Sequence, residues 1–498
     1  MASMPSMLRS LGALAVLSLV ACGGAPPPSA RRENRPRHDD RVARVTASLV
    51  PAVLVAGAPP PRATLEARMA RFHVPGVSIA VADGGAIAWA RGFGVTHAGS
   101  SDPVTPRTLF PAASISKPVT ATAALRLVER GALALDAGVN TYLRTWRVPA
   151  NEHTSRAPVT LRHLLSHTAG TNVHMMPCFH EGEPLPTLAQ ELDGLPPANI
   201  APVRVETVPG TEWRYSGGGM LIAQMALTDV TGQPFHELLR QVVLDPLGMT
   251  ESTFEQPVPQ ELRGRLAAEH DTRGALVPDW LGVCPEMAAS GLTSTPADLV
   301  RWAIAIGDAY AGHSEAFLSR ATATDMLTAR LGPTGLGPFV EGEGAGFRFS
   351  HEGGDGGFHA EVVYFPATRQ GAAVMVNGEA GVPLIREILL AVAAEHGWPD
   401  YAPRVVEVLP MSAEEAERLV GAYAAPYEGA LVEARVLPRG DRLLVEIPIL
   451  GVSSEIVLTS PTTLVMLEAG ADVERVLDAE GRVTALRIGS LELPRIAR

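Results

Sequence analysis

Lysine is nearly missing from this 498-residue chain. Of its 41 basic residues, Lys117 is the single lysine and the other 40 are arginine. Cysteine is scarce too, with only Cys22, Cys178 and Cys284. Three cysteines exclude a small scaffold held by many disulfides and a cysteine-rich metal cluster. Positive charge is in deficit, with 41 basic against 53 acidic residues and a net charge of −12. No basic stretch interleaved with aromatics appears, which argues against a nucleic-acid surface. Long apolar runs are absent as well. The longest candidate, Leu11 to Val20, is about ten residues and too short for a mature membrane-spanning helix. Low charge is not a sign of disorder here. Hydrophobic residues reach 46% and charged residues 19%, enough to bury a large core. The 42 prolines and 48 glycines imply a loop-rich fold.

The one lysine sits in Phe110-Pro111-Ala112-Ala113-Ser114-Ile115-Ser116-Lys117, three residues after a serine. Arginine cannot be deprotonated in a protein, whereas a desolvated lysine can give up its proton and act as a base. Residues i and i+3 share one face of a helix, so hydroxyl and amine can meet. This is the spacing of a Ser-x-x-Lys nucleophile pair. A helix is expected to open at Ser114 to Pro118 and to stop at Arg130-Gly131. Ser114 then lies at a helix N-terminus, where free backbone N–H groups favour a developing oxyanion.

The first residues read as an export signal. The apolar run ends in Leu19-Val20-Ala21-Cys22-Gly23-Gly24, which resembles a bacterial lipoprotein box with Cys22 as the lipidated residue. The expectation is an exported lipoprotein of the cell envelope, tied to a membrane by lipid alone. In such an oxidising compartment Cys178 and Cys284 are expected to form a disulfide, with two free thiols as the alternative. His174, Cys178 and His180 have ligand-like side chains but no recognisable metal pattern. His163 and His167, at i and i+4, lack the glutamate of a His-Glu-x-x-His motif and read as structural. No metal and no cofactor is expected.

Four regions follow: a signal segment over 1–21, a Pro/Arg-rich linker over 22–62, a catalytic domain over 63–405 and a small β domain over 411–498. Leu65 to Phe72 suits an amphipathic helix, and Val77 to Ala90 a hairpin around Asp83-Gly84-Gly85. Residues 159–310 read as mainly helical, including a capped helix from Val159 to Gly170. Strands return at Phe347–His351, Ala360–Phe365 and Gly371–Val376, followed by a helix over Val382–His396. The fold class is therefore α+β: an antiparallel sheet with helices on one face and a helical subdomain beside it. From Leu431 to Ile488, six closely spaced apolar stretches predict a sandwich or barrel.

Two further motifs sit behind the nucleophile pair. Tyr215 precedes the glycine run Gly217-Gly218-Gly219, and His351-Glu352-Gly353-Gly354 ends a strand. Ser114-x-x-Lys117, Tyr215 and His351-x-Gly353, in that order, resemble the class C β-lactamase-like serine hydrolases. The stretches Thr160–Gly170, Pro246–Phe254 and Ala289–Ser294 reinforce the resemblance, which runs from about Thr64 to Gly397. It implies an antiparallel sheet flanked by helices with a helical subdomain. It also implies that Ser114 is acylated and that Lys117 and Tyr215 share the proton transfer. They would do so either as ammonium beside tyrosinate or as neutral amine beside tyrosine. The N–H groups of Ser114 and Gly354 would form the oxyanion hole, with His351, Gly353 and Gly217 lining the substrate site. There are two departures from the penicillin-recognising pattern. Gly217 stands where those members have asparagine, and His351 where they have lysine. Both remove groups suited to β-lactams. The expected substrate is a small ester or amide, the expected activity carboxylesterase-like. A β-lactamase or D-alanyl peptidase is the alternative enzyme, and a non-hydrolytic penicillin-binding-like sensor or scaffold the alternative of another class.

Overall fold

The central strands of the catalytic region are apolar on both faces, and the architecture follows from that. In the computed structural model, residues 38–427, 430–440, 442–489 and 491–496 are described. The signal segment and Cys22 therefore lie outside the described residues. In chain order the body contains α1 (His38–Thr46), β1 (Val53–Val55), α2 (Leu65–Arg71), β2 (Gly76–Asp83) and β3 (Ala86–Gly94). The helix that follows Ser114, α3 (Ser116–Glu129), with α4 (Gly217–Thr231) and α5 (Pro296–Ala311), makes up the main helices of the middle. Then come β4 (Phe339–Glu341), β5 (Arg348–Asp355), β6 (Phe358–Phe365), β7 (Gln370–Val376), α6 (Val382–His396) and β8 (Arg404–Val406).

Six of these strands form one antiparallel sheet in the order β3-β2-β7-β6-β5-β4. Side chains alternate across a strand. Ala80 and Ala82 of β2 and Ala373 and Met375 of β7 join a core with Trp302 and Ile306 of α5. Val77, Ile79 and Val81 of β2 and Val374 and Val376 of β7 join a second core with Leu384, Ile388 and Leu389 of α6. Helices thus cover both faces. The sequence-based expectation of one covered face is corrected: an unbroken apolar strand such as Gly371–Val376 is what a doubly buried strand requires.

The predicted linker over 22–62 is also corrected from His38 onward. Val45 and Leu49 are each 1% exposed and belong to the α6-side core. Arg44 grips Glu395 with two hydrogen bonds of 2.8 and 2.6 Å. Further on, β1 pairs in parallel with β8, Val53 opposite Arg404.

The C-terminal region is an up-and-down meander of eight strands among the described residues, from Gly421–Tyr427 to Leu491–Pro494. A bridge between Tyr423 and Arg495, with the Ile496 N–H donating to the Ala422 carbonyl at 2.9 Å, nearly closes it into a barrel. Closure hides the two edge strands that would otherwise be open. The barrel has its own core, including Tyr423, Val436, Leu464 and Leu486. Val53 of β1 and Val406 of β8 pack with barrel residues Val457, Val465 and Leu467. The barrel and the catalytic region therefore form one compact unit from His38 on.

Candidate active site

The turn that carries Ser114 is built by a strained backbone and a buried hydroxyl. Ala113 has a positive φ of 44°, a conformation that L-residues rarely adopt and that recurs at functional sites. It turns the chain so that Ser114 stands in a 3₁₀ turn, Ala113–Ile115, just ahead of α3. Ser116 is fully buried. Its Oγ donates to the Ala113 carbonyl at 2.6 Å and accepts from the Leu292 N–H at 2.9 Å. The turn is thereby tied to the Ala289–Ser294 stretch.

Lys117 is 3% exposed. Its Nζ donates to Ser114 Oγ at 2.9 Å and to the Ala289 carbonyl at 3.0 Å. Among the described residues no carboxylate forms an ion pair with it. The lone lysine is thus aimed at the serine and held by a neutral acceptor. Nζ also lies 5.0 Å from the centre of the Tyr215 ring.

Tyr215 sits just before Ser216, which caps α4: Ser216 Oγ accepts from the Gly219 N–H at 3.0 Å. His167, read from the sequence as structural, holds this tyrosine from both sides. The Arg214 N–H donates to the His167 carbonyl at 2.7 Å, and the Ser216 N–H donates to His167 Nδ1 at 3.2 Å. The two rings meet at 4.4 Å between centres. The expected helix over 159–170 is short: it spans Leu161–Leu165, and His167 follows at a positive φ of 57°. That turn carries His167 away from the helical face of His163. His163 has a local task, its Nδ1 accepting from the Thr160 N–H at 3.3 Å.

Strand β5 passes directly over the Ser114 turn. A Cβ on Gly353 would lie 2.2 Å from the Ala112 carbonyl oxygen, so only glycine fits there. Gly354 pairs with His359, one step beyond the Asp355–Phe358 pair that closes the tight turn. Antiparallel pairs alternate between hydrogen-bonded and non-hydrogen-bonded, which leaves the Gly354 N–H free of β6. His351 is 1% exposed, and its ring lies 6.3 Å from that of Tyr215. Burial, reinforced by nearby Lys117, pushes its pKa down to about 3. It is therefore neutral in any ordinary buffer.

Two pockets open at Ser114. One, of about 1030 Å³, is lined by Val173, Met176, Ile200, Gly217 and Gly354. The other, of about 420 Å³, is lined by Trp213, Phe339, His351 and Ile385. Tyr215 borders both. At Gly217 a Cβ would meet Met176 Cε at 2.8 Å, so methionine fills the space a larger side chain would need.

Cys178 and Cys284 are joined as a disulfide that lines a third, smaller cavity of about 220 Å³. Their sulfurs and Glu286 lie within 4.8 Å of one another. Sulfurs bonded to each other cannot serve as thiolate ligands, so the cluster is not a metal site. Asp355 Oδ2 lies 3.2 Å from Cys178 Sγ. Burial, with Glu269 and Glu379 nearby, raises the Asp355 pKa to about 6.

The sequence matches the Beta-lactamase family over residues 61–395. It is 30% identical to "Penicillin-binding protein 4" of Amycolatopsis lactamdurans over 374 residues, 70% of this chain and 94% of that protein. It is 32% identical to "Esterase EstB" of Burkholderia gladioli over 192 residues, 36% of this chain and 47% of that protein. The structure resembles the octameric penicillin-binding protein homologue from Pyrococcus abyssi with a TM-score of 0.57. That match has 24% identity and covers 86% of this chain and 98% of that one.

Proposed function

The chain belongs to the Beta-lactamase family of serine hydrolases, and within it we propose a carboxylesterase that works through an acyl-enzyme on Ser114. One observation carries the ester preference. The family's penicillin-recognising members place a lysine where this chain has His351. Here that side chain is buried and uncharged. A substrate carboxylate would lose its charged partner and gain an apolar wall in exchange. Gly217 supports the same reading, because Met176 occupies the space an asparagine would use.

In the proposed reaction Ser114 Oγ attacks the ester carbonyl as its proton passes to the Lys117–Tyr215 pair. The N–H groups of Ser114 and Gly354 receive the developing oxyanion. Tyr215, bordering both pockets, returns the proton to the departing alcohol oxygen. Water then enters, loses a proton to the same pair and releases the acid. His167 acts as a positioning residue for Tyr215.

Turnover of p-nitrophenyl butyrate, nitrocefin and a D-alanyl-D-alanine peptide tests the preference. The ester should lead in kcat/KM by about 10- to 100-fold, the worth of one missing charged hydrogen bond. Faster turnover of nitrocefin or the peptide would overturn it. The disulfide supports an oxidising compartment, and Cys22 is the proposed site of a lipid anchor. Labelling with an alkynyl fatty acid that survives Cys22→Ala would refute the anchor.

A further inference from the structure

The smaller pocket holds a hydrogen-bonding group that the proposed reaction does not use. His351 Nδ1 lies 2.6 Å from the Glu352 carbonyl. A carbonyl oxygen only accepts, so Nδ1 carries the ring proton and Nε2 presents a bare lone pair. That Nε2 is buried and has no partner among the described residues. Buried acceptors are nearly always paired, so a bare one on a residue that lines a cavity asks for a donor from outside the chain. His167 Nε2 is also unpaired among the described residues, but His167 lines neither pocket at Ser114.

The pocket around His351 defines the rest of the ligand. Trp213 and Phe339 supply aromatic walls, and Val382 and Ile385 of α6 supply aliphatic ones. The Trp213 N–H is already spent on Thr334 Oγ1 at 2.9 Å. Its volume, about 420 Å³, accommodates a substituted ring. We propose that this pocket binds an uncharged aryl or branched alkyl group of the substrate that carries one hydroxyl or N–H, donated to His351 Nε2. This assignment rests on the ester-hydrolase reading and names part of its substrate. The low pKa of His351 adds that its acceptor character holds across pH 5 to 9.

Matched substrates test it with the full chain. Butyrate esters of 3-hydroxybenzyl, 3-methoxybenzyl and 3-carboxybenzyl alcohol place the donor on the alcohol side. Methyl 3-hydroxyphenylacetate and its 3-methoxy counterpart place it on the acyl side. In at least one series the hydroxyl substrate should exceed its methoxy analogue in kcat/KM by about 10- to 100-fold. The ratio should be flat from pH 5 to 9, and the carboxylate should rank last. In His351→Phe the ratio should fall to near one, and in His351→Lys the carboxylate should gain on the others. Ester turnover with less than threefold discrimination in both series would overturn this inference and leave the esterase reading standing. A preference that persists in a folded His351→Phe would overturn it too. Failure to turn over any ester would overturn both.

Discussion

Gly353→Ala should disable the enzyme through geometry alone. The added Cβ would stand 2.2 Å from the Ala112 carbonyl oxygen and 3.4 Å from the Ser114 nitrogen. Carbon and oxygen need a little over 3 Å, so β5 and the nucleophile turn must part by about 1 Å. Neither can yield cheaply. β5 is hydrogen-bonded into the six-stranded sheet. The turn is pinned through Ser116 to Ala113 and Leu292. A displacement of about 1 Å at the reacting centre costs about 100-fold in rate, and overpacking costs about 1–3 kcal/mol of stability. Gly354→Ala is the control. Its Cβ would approach only the His359 ring, at 3.1 Å, and the N–H proposed for the oxyanion would remain. Steady-state kinetics on p-nitrophenyl butyrate, with thermal melts of both variants, should show kcat down about 100-fold for Gly353→Ala and less than tenfold for Gly354→Ala. Wild-type kcat in Gly353→Ala, or equal losses in the two variants, would refute the account of β5 as the tight roof of the site.

Lys117→Arg should keep a positive charge and yet lower kcat by about 100- to 10,000-fold, because it removes a group able to carry the proton. Near-normal turnover would mean that Lys117 supplies charge only. His167→Ala should lower kcat on p-nitrophenyl butyrate by at least about tenfold with little change in KM, since it loosens Tyr215 and not the pockets. A change confined to KM would contradict that. Glu191 is 1% exposed, neither of its oxygens has a partner among the described residues, and burial raises its pKa to about 7. A carboxyl raised in the fold costs nothing below its ordinary value and destabilises as pH climbs through 4.5 to 7. Glu191→Gln should therefore leave urea stability unchanged at pH 4.5 and raise it by up to about 3 kcal/mol at pH 8. An equal gain at both values would rule out titration as the cause. Iodoacetamide should label neither Cys178 nor Cys284 without reductant, and the bridge, separated by 106 residues, should contribute about 4–5 kcal/mol.

What could be read from the sequence was whatever depends on local spacing. Ser114 and Lys117 meet because three residues of helical turn bring them together, and the structure places them 2.9 Å apart. The strands ending at Phe365 and Val376 and the helix over Val382–His396 follow from runs of apolar residues bounded by turns. What was hidden depends on partners far along the chain. Val45 reads as part of a tether because the helix it packs against, α6, lies more than 300 residues further along the chain. His167 reads as one of two helical histidines because nothing local announces that the helix ends at Leu165 and turns through a positive φ. The Ala289 carbonyl that holds Lys117 carries no side-chain signature at all. Met176 beside Gly217 explains why one motif position is glycine, a reason that only the packed structure supplies.

All of the proposed chemistry passes through Ser114. Rapid acid quench of the enzyme with p-nitrophenyl butyrate, followed by peptide mass spectrometry, tests it most directly. A butyryl adduct should form on the peptide containing Ser114 and be absent from Ser114→Ala, which should also be inactive. Undiminished ester turnover by Ser114→Ala, or an adduct on a different residue, would contradict it.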